Sequence, residues 1–254
     1  MELNGRVALI TGASKGLGRE IARRYAAAGA ALVLVARGDA ALRDVAEDLA
    51  GHTDVLAVAA DVSEDAEGIA QAALDRFGQV DVLVNSASEI GPSPMPALES
   101  YPWDALLHVL KVNVVAPLHL IQLVLPQMKA RADGVIINVT SDAGVVAYAG
   151  WGGYGASKAA LEHVSRILAA ELEGSGVRVY VVDPGDMDTE MHRLAEPGVD
   201  LSHLPGPELP APAFVWLVEH ETAPFGRFEA MKIVESLRAQ RDSLEIVSSL
   251  RSSQ

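Results

Sequence analysis

The chain has 254 residues, half of them hydrophobic and a fifth charged, with a net charge of −14 and no cysteine. That is enough apolar material for a sizeable core, and it excludes wholesale disorder, disulfides, thiolate metal sites and a cysteine nucleophile. Acidic residues are scattered along the chain without clustered Lys or Arg, which argues against a nucleic-acid binder, since phosphate contacts need grouped cations. The longest apolar run, Ala26 to Ala36, is 11 residues, short of the ~20 that span a bilayer. The start, Met-Glu-Leu-Asn-Gly-Arg, lacks the basic and apolar regions of a signal peptide. The expectation is a soluble protein of the reducing cytoplasm, with no membrane partner.

Val7-Ala-Leu-Ile10 reads as the first strand. Thr11-Gly12-Ala-Ser14-Lys15-Gly16-Leu17-Gly18 follows and opens a helix on which Leu17, Ile21, Tyr25 and Ala28 share a face, with Gly29 as its C-terminal cap. Gly12 permits a tight turn, Gly16 lets backbone approach a pyrophosphate, and Gly18 allows the helix to pack on the strand. The helix N-terminus then offers free N–H groups and partial positive charge to phosphates. The same letters, Gly12-Ala-Ser14-Lys15-Gly16, also fit the G-x-S-x-G elbow of serine hydrolases. That alternative leaves Thr11 and Gly18 without roles, and no His stands at a convincing strand end.

Leu32-Val-Leu-Val35 is the second strand and ends at Ala36-Arg37. An acidic residue there would bind an adenosine ribose hydroxyl and repel a 2′-phosphate. Arg37, with Lys15 projecting nearby, instead favours NADP(H) over NAD(H); Asp39 close by is the counter-signal. Ala40 to Ala50 reads as a helix, Val55 to Ala60 as a strand leading to Asp61-Val62, and Ser63 as the cap of a helix with Ile69, Ala73 and Phe77 inward. Val80 to Val84 forms the next strand and runs into Asn85-Ser-Ala-Ser88.

A long helix is expected around Trp103 to Met128, then the strand Val135 to Val139. A helix from Tyr154 to Glu173 buries Leu161, Val164, Leu168 and Leu172, and Val177 to Val182 is a sixth strand ending at Pro184-Gly185. Between residues 186 and 212, Pro197, Pro205, Pro207, Pro210 and Pro212 break the pattern. Long irregular segments in compact domains often form lids over a site. β-branched runs without strict alternation suit strands covered on both faces, and alternating β and α units suit a doubly wound parallel sheet of the α/β class. Residues 1–230 read as one domain, and 231–254, with Ile233, Val234, Leu237, Leu244 and Val247, as a helical extension.

Tyr154 and Lys158 stand one helical turn apart and share a face. A free phenol, with a pKa near ~10, is a poor proton donor and acceptor at neutral pH, and lowering it by about three units requires roughly 4 kcal/mol. One ammonium about 4 Å away supplies a similar energy at an effective dielectric near ~20.

With the glycine turn, Asn113, Ser141, Tyr154 and Lys158 together, residues 5 to 230 resemble the short-chain dehydrogenase/reductase family. The resemblance implies a Rossmann-type sheet of about seven strands in the order 3-2-1-4-5-6-7. It implies that Gly12, Ser14, Lys15, Gly16, Leu17 and Gly18 hold the cofactor, that Asp61 and Val62 meet the adenine, and that Asn85 lies beside a ribose. Pro184, Gly185 and Thr189 match the segment that orients the nicotinamide. Ser141, 13 residues before Tyr154, would hold the substrate oxygen while Tyr154 exchanges a proton with it. Lys158 would lower the tyrosine pKa and bond the nicotinamide ribose, and Asn113 would steady a relay water. Ser86 and Ser88 replace the second Asn and the Gly of the usual N-N-A-G, so the geometry of that loop is in question, and the last strand lacks its usual closing Gly-Gly.

The implied activity is an NADP(H)-dependent carbonyl reductase or alcohol dehydrogenase acting on a small molecule, built as a homodimer or homotetramer. Ile90, Trp151, Met187 and Met191 are the candidate substrate pocket, with Leu194 in the lid. Rivals are a 3-oxoacyl-thioester reductase, for which Arg193 alone offers a basic contact, a sugar or steroid dehydrogenase, and a regulator that binds NADP(H) without turnover.

Overall fold

The structure, a computed structural model, describes the backbone of residues 1–252 and the side chains of residues 1–242. Seven parallel strands form one sheet in the order β3-β2-β1-β4-β5-β6-β7. They are β1 (Val7–Thr11), β2 (Ala31–Ala36), β3 (Val55–Ala59), β4 (Val82–Asn85), β5 (Gly134–Val139), β6 (Val177–Asp183) and β7 (Phe225–Glu229). Successive residues of a strand face opposite sides, so each central strand feeds two cores. Ile10, Leu34 and Ile137 pack on one side with Tyr25 and Phe214. Leu9, Val33 and Ile136 pack on the other with Leu120 and Val124. The edge strands β3 and β7 are the more exposed ones.

The helices are α1 (Gly16–Ala27), α2 (Asp39–Ala50), α3 (Ala66–Phe77), α4 (Trp103–Leu110), α5 (Ala116–Arg131), α6 (Gly152–Glu171), α7 (Glu190–Ala195), α8 (Ala211–Glu219) and α9 (Ala230–Ser252). The expected cap at Ser63 is a correction: the Asp65 carboxylate caps α3 by accepting from Gly68 N–H at 3.1 Å, and Ser63 turns back to Asp61. The helix expected around Trp103 to Met128 is interrupted by a π turn at Lys111–Val115. Such bulges tend to mark functional positions, and Asn113 sits inside this one. The combined rod Trp103–Arg131 is 29 residues and apolar enough by length and composition to cross a membrane. Counting only uninterrupted apolar runs hides it. Its Leu120, Ile121, Val124 and Met128 are buried in the core of this fold.

The irregular segment is shorter than expected, because Pro212 lies in the first turn of α8, where a proline costs no hydrogen bond. The tail continues from β7 as α9, with Val234 buried and Ile233 packed beside it. The side chains of Leu244 and Val247 lie outside the described ones. All seven strands run the same way, so Thr11, Ala36, Asn85, Val139 and Asp183 end at one edge of the sheet. The chain reverses its winding between β1 and β4 there, which is where doubly wound sheets open a crevice.

Candidate active site

The glycine turn is built by close approach. Gly12 has φ +70°, and a Cβ on it would lie 3.0 Å from the Ala87 backbone. A Cβ on Gly18 would come within 2.4 Å of the Gly12 carbonyl oxygen. Gly16, at φ +54°, faces open space, with Thr189 Cγ2 at 4.0 Å from its imagined Cβ. Backbone is therefore bare at the start of α1, the geometry a diphosphate needs. Thr11 ties the crevice together, since its Oγ1 accepts from both Ser86 and Ala87 N–H at 3.0 Å.

The corner beside β2 is charged and open. The Arg37 side chain is 66% exposed and lies 4.0 Å from both Asp61 and Glu89. Lys15 reaches across the crevice to Glu190 on α7 at 2.6 Å. Asp39 pairs with Arg43 on the same helix at 2.7 Å. Burial would raise the Asp61 carboxyl, but the Ser63 N–H and O–H and the Arg37 charge outweigh it and hold it below its usual range. Val62 is buried behind it. Asn85 donates to Asn138 Oδ1 at 2.8 Å, and Asn138 donates to Ser165 Oγ at 2.8 Å.

Ser141, Tyr154 and Lys158 meet beyond the ends of β5 and β6. Ser141 accepts from Ala143 N–H at 3.2 Å and donates to Asp142 Oδ1 at 3.0 Å. Tyr154 occupies the first turn of α6, buried with Ile90, Ala143 and Ala195. Lys158 is 2% exposed; its Nζ donates to Val139 O at 2.9 Å and lies 5.3 Å from the Tyr154 ring centroid. The expected depression of the phenol is corrected. Burial pushes Tyr154 above its ordinary range, and the Asp183 and Asp142 charges push the same way, while the Ser141 and Ser88 hydroxyls pull it down. The ammonium points at a carbonyl rather than the phenol oxygen, and burial brings it down to about 8.

The Asn113 side chain is fully engaged with protein. Its Oδ1 accepts from Glu89 N–H at 2.8 Å and Ser88 Oγ at 3.2 Å, and its Nδ2 donates to Glu89 O and Ser157 Oγ. Ser88 itself keeps an ordinary φ, since Ala132 has the one positive φ outside glycine among the described residues. The loop geometry left in question by the missing glycine is therefore unstrained.

Ile90, Trp151, Met187 and Met191 line a pocket with Ser141 and Tyr154, and Pro184, Gly185 and Thr189 complete its wall. Asp142, Asp183, Asp186 and His192 line it too, and sequence reasoning missed all four. Leu194 points outward, half exposed, and Arg193 pairs with Asp188 at 2.6 Å. A second missed group lies behind the serine. Glu162 accepts from Arg227 Nε at 3.0 Å and from Thr140 Oγ1 at 2.8 Å, and Arg227 also reaches Asp183 and Ser141 O at 3.5 Å. Glu162 was findable, because it extends the Tyr154, Lys158 series by one more turn. Arg227 comes from a distant strand and gives no local signal.

A nucleotide-type crevice joined to a pocket lined by Ser141 and Tyr154, with Lys158 buried one turn further along α6, at the carboxyl edge of a parallel sheet defines an oxidoreductase of the Rossmann class. The chain belongs to the short-chain dehydrogenase family, whose model, "short chain dehydrogenase", matches residues 6–199. It is 39% identical over 202 residues to the rhamnolipids biosynthesis 3-oxoacyl-[acyl-carrier-protein] reductase of Pseudomonas aeruginosa, covering 75% of this chain and 76% of that one. A short chain dehydrogenase of Escherichia coli CFT073, complexed with NADPH, superposes with a TM-score of 0.80 at 30% identity, covering 90% of this chain and 98% of that one. The 3-ketoacyl-(acyl-carrier-protein) reductase of Brucella melitensis, complexed with NADH, gives 0.80 at 30% identity over 89% of this chain and 97% of that one.

Proposed function

We propose that this oxidoreductase uses NADP(H) to interconvert a small carbonyl compound and its secondary alcohol, with Tyr154 as the acid and base. The observation that carries the reading is the meeting of Ser141 and Tyr154 on one pocket wall, with the buried Lys158 ammonium 5.3 Å from the Tyr154 ring centroid and Thr189 linking the pocket to the bare glycine turn. The residues fit a dinucleotide: Gly12, Ser14, Lys15, Gly16, Leu17 and Gly18 would cradle the diphosphate, Arg37 would meet a 2′-phosphate, and Asp61, Val62 and Asn85 would flank the adenosine. Pro184, Gly185 and Thr189 would border the nicotinamide. When bound, the cofactor supplies or accepts the hydride, and this chain supplies position and proton.

Ser141 turns its hydroxyl from Asp142 to the substrate oxygen, and Tyr154 gives that oxygen a proton in reduction or takes one in oxidation. Lys158, charged below about pH 8, provides the nearest positive charge when the phenolate forms. Asn113 holds the loop of residues 88 and 89 against α6. Residues 1–230 act as one catalytic domain with residues 186–212 as its lid, and α9 is an extension of it. Exposed Trp103 and Leu107 on α4, Val115 in the π turn and Ile167 on α6 support a homodimer or homotetramer, which light scattering tests. The cysteine-free chain supports a cytoplasmic setting.

The apolar side chains Ile90, Trp151, Met187 and Met191 favour an uncharged, apolar carbonyl substrate. A 3-oxoacyl thioester is the second reading, favoured by the similarity to two reductases of that kind. Three carboxylates line the pocket and Arg193 is already paired, which weighs against an acidic carrier protein. A panel of apolar ketones, β-ketoesters and acyl thioesters, followed at the nicotinamide absorbance, separates the two. Undiminished turnover by Tyr154→Phe would sink both.

A further inference from the structure

We propose that Asp142 is a specificity-determining residue: it selects ketones that carry a hydroxyl on the carbon beside the carbonyl. The proposal rests on the reading of Ser141 and Tyr154 as the groups that hold and protonate the substrate oxygen, and it names the substrate class of that same pocket.

Two hydroxyls hold the Asp142 carboxylate just after β5. Ser141 donates to its Oδ1 at 3.0 Å, and Tyr148 donates to its Oδ2 at 2.7 Å. Among the described residues no Lys, Arg or His pairs with it. Ser141 Oγ in turn accepts from Ala143 N–H at 3.2 Å, and a hydroxyl has one proton, so that proton lies on Asp142. Asp142 shares the pocket wall with Ser141 and Tyr154. Tyr148 meets Trp151 edge-on at 6.5 Å between centroids, and Trp151 meets Tyr154 at 5.8 Å. Oδ2 is therefore served from the aromatic wall of the pocket, and Oδ1 from the serine that the reaction needs.

The reaction disturbs the second of those bonds. When Ser141 turns its proton to the substrate oxygen, Asp142 Oδ1 loses its donor. A hydrogen bond to a charged acceptor is about twice as strong as a neutral one, so the loss opposes the turn. A hydroxyl beside the carbonyl offsets it. Two oxygens on adjacent carbons stand roughly one hydrogen-bond length apart, ~3 Å, which matches the 3.0 Å between Ser141 Oγ and Asp142 Oδ1. The carbonyl oxygen then takes the Ser141 proton while the neighbouring hydroxyl donates to Oδ1. An ether oxygen at the same place has no proton to give. The rest of such a substrate stays apolar against Ile90, Trp151, Met187 and Met191. Asp183 and Asp186 line the pocket too, but neither takes a hydrogen bond from Ser141, and Asp183 already accepts from Gly185 N–H at 3.0 Å.

The test compares α-hydroxyacetophenone, α-methoxyacetophenone and acetophenone as substrates of the whole protein with NADPH. The methoxy ketone activates its carbonyl as an α-oxygen does but donates nothing, so the hydroxy-to-methoxy ratio of kcat/KM reads the donor alone. Wild type favours the hydroxy ketone by about tenfold or more, the worth of one hydrogen bond to a charged acceptor. Asp142→Ala brings its ratio down to that of steric difference alone, and Asp142→Asn, which keeps the shape and loses the charge, falls between. Because Ser141 and Tyr154 serve all three ketones, a general defect in either lowers every rate and leaves the ratio. A wild-type ratio near one overturns the proposal, as does a ratio that both Asp142 variants keep. Turnover of none of the three overturns it together with the reading beneath it. Undiminished turnover of all three by Tyr154→Phe removes that reading by a separate sign, because it leaves the Asp142 ratio in place.

Discussion

The proton-transfer pocket and the corner beside β2 stand at the same edge of one sheet and both rely on cations, yet they treat charge in opposite ways. Lys158 is 2% exposed and held by a backbone carbonyl. The Lys15 and Arg37 side chains are 64% and 66% exposed and meet carboxylates at the surface, at 2.6 and 4.0 Å. Burial shifts both Lys158 and Tyr154 strongly, whereas exposed pairs contribute about 0–1 kcal/mol each. A pocket that must move a proton keeps its groups where small changes in environment move a pKa. A corner that must grip and release a phosphate keeps its cations on partners that a phosphate can displace.

The largest effect that separates the two regions is Tyr154→Phe. Carbonyl reduction falls by about 10²–10⁴-fold while NADPH affinity, read by fluorescence titration, stays within a few fold. A loss of both together would show that the pocket and the corner are not separate devices.

Lys158→Met comes next and sharpens the contrast through stability. The folded pKa is depressed to about 8 from 10.5, so between those values the unfolded chain binds more protons and stability rises with pH. The cost of burying the charge is therefore fully present below about pH 8. Lys158→Met is expected to be inactive yet more stable than wild type at neutral pH, by about 1–3 kcal/mol. Denaturant midpoints at neutral pH and near the upper end of that window check it, because the difference shrinks as the wild-type lysine sheds its proton.

Arg37→Ala is smaller. NADPH binding weakens by about tenfold, a loss of roughly 1.4 kcal/mol, and NADH binding holds. Equal NADPH and NADH affinities in wild type would break the assignment of that corner. Smallest is Glu190→Gln, which frees Lys15. Its unfolding midpoint should move by less than the equivalent of about 1 kcal/mol; a larger change would make the corner as tightly coupled as the pocket.

Much of the site was legible because its signals are local. Gly12, Gly16 and Gly18 must be glycines for backbone reasons that spacing reveals, and Tyr154 and Lys158 are neighbours by helical period alone. Pocket residues Ile90, Trp151, Met187 and Met191 were reachable as apolar positions next to those motifs. Asp142, Asp183 and Asp186 were not, because an aspartate at a strand end has the letters of an ordinary turn. Ser63 misled for a similar reason: the cap needed a carboxylate two residues later, and either residue suits a helix start.

The sequence by itself determined the class of sheet, the winding order through its family pattern, and the chemistry-bearing residues, since periodicity and turn geometry act over a few residues. Only the tertiary structure decided how those residues influence one another. It placed the Lys158 ammonium on Val139 O, raised the phenol by burying it, closed the Asn113 side chain onto the Ser88 loop, and brought Arg227 from β7 to Glu162. Desolvation and hydrogen-bond direction depend on what else fills the space, and residues distant in the chain fill it.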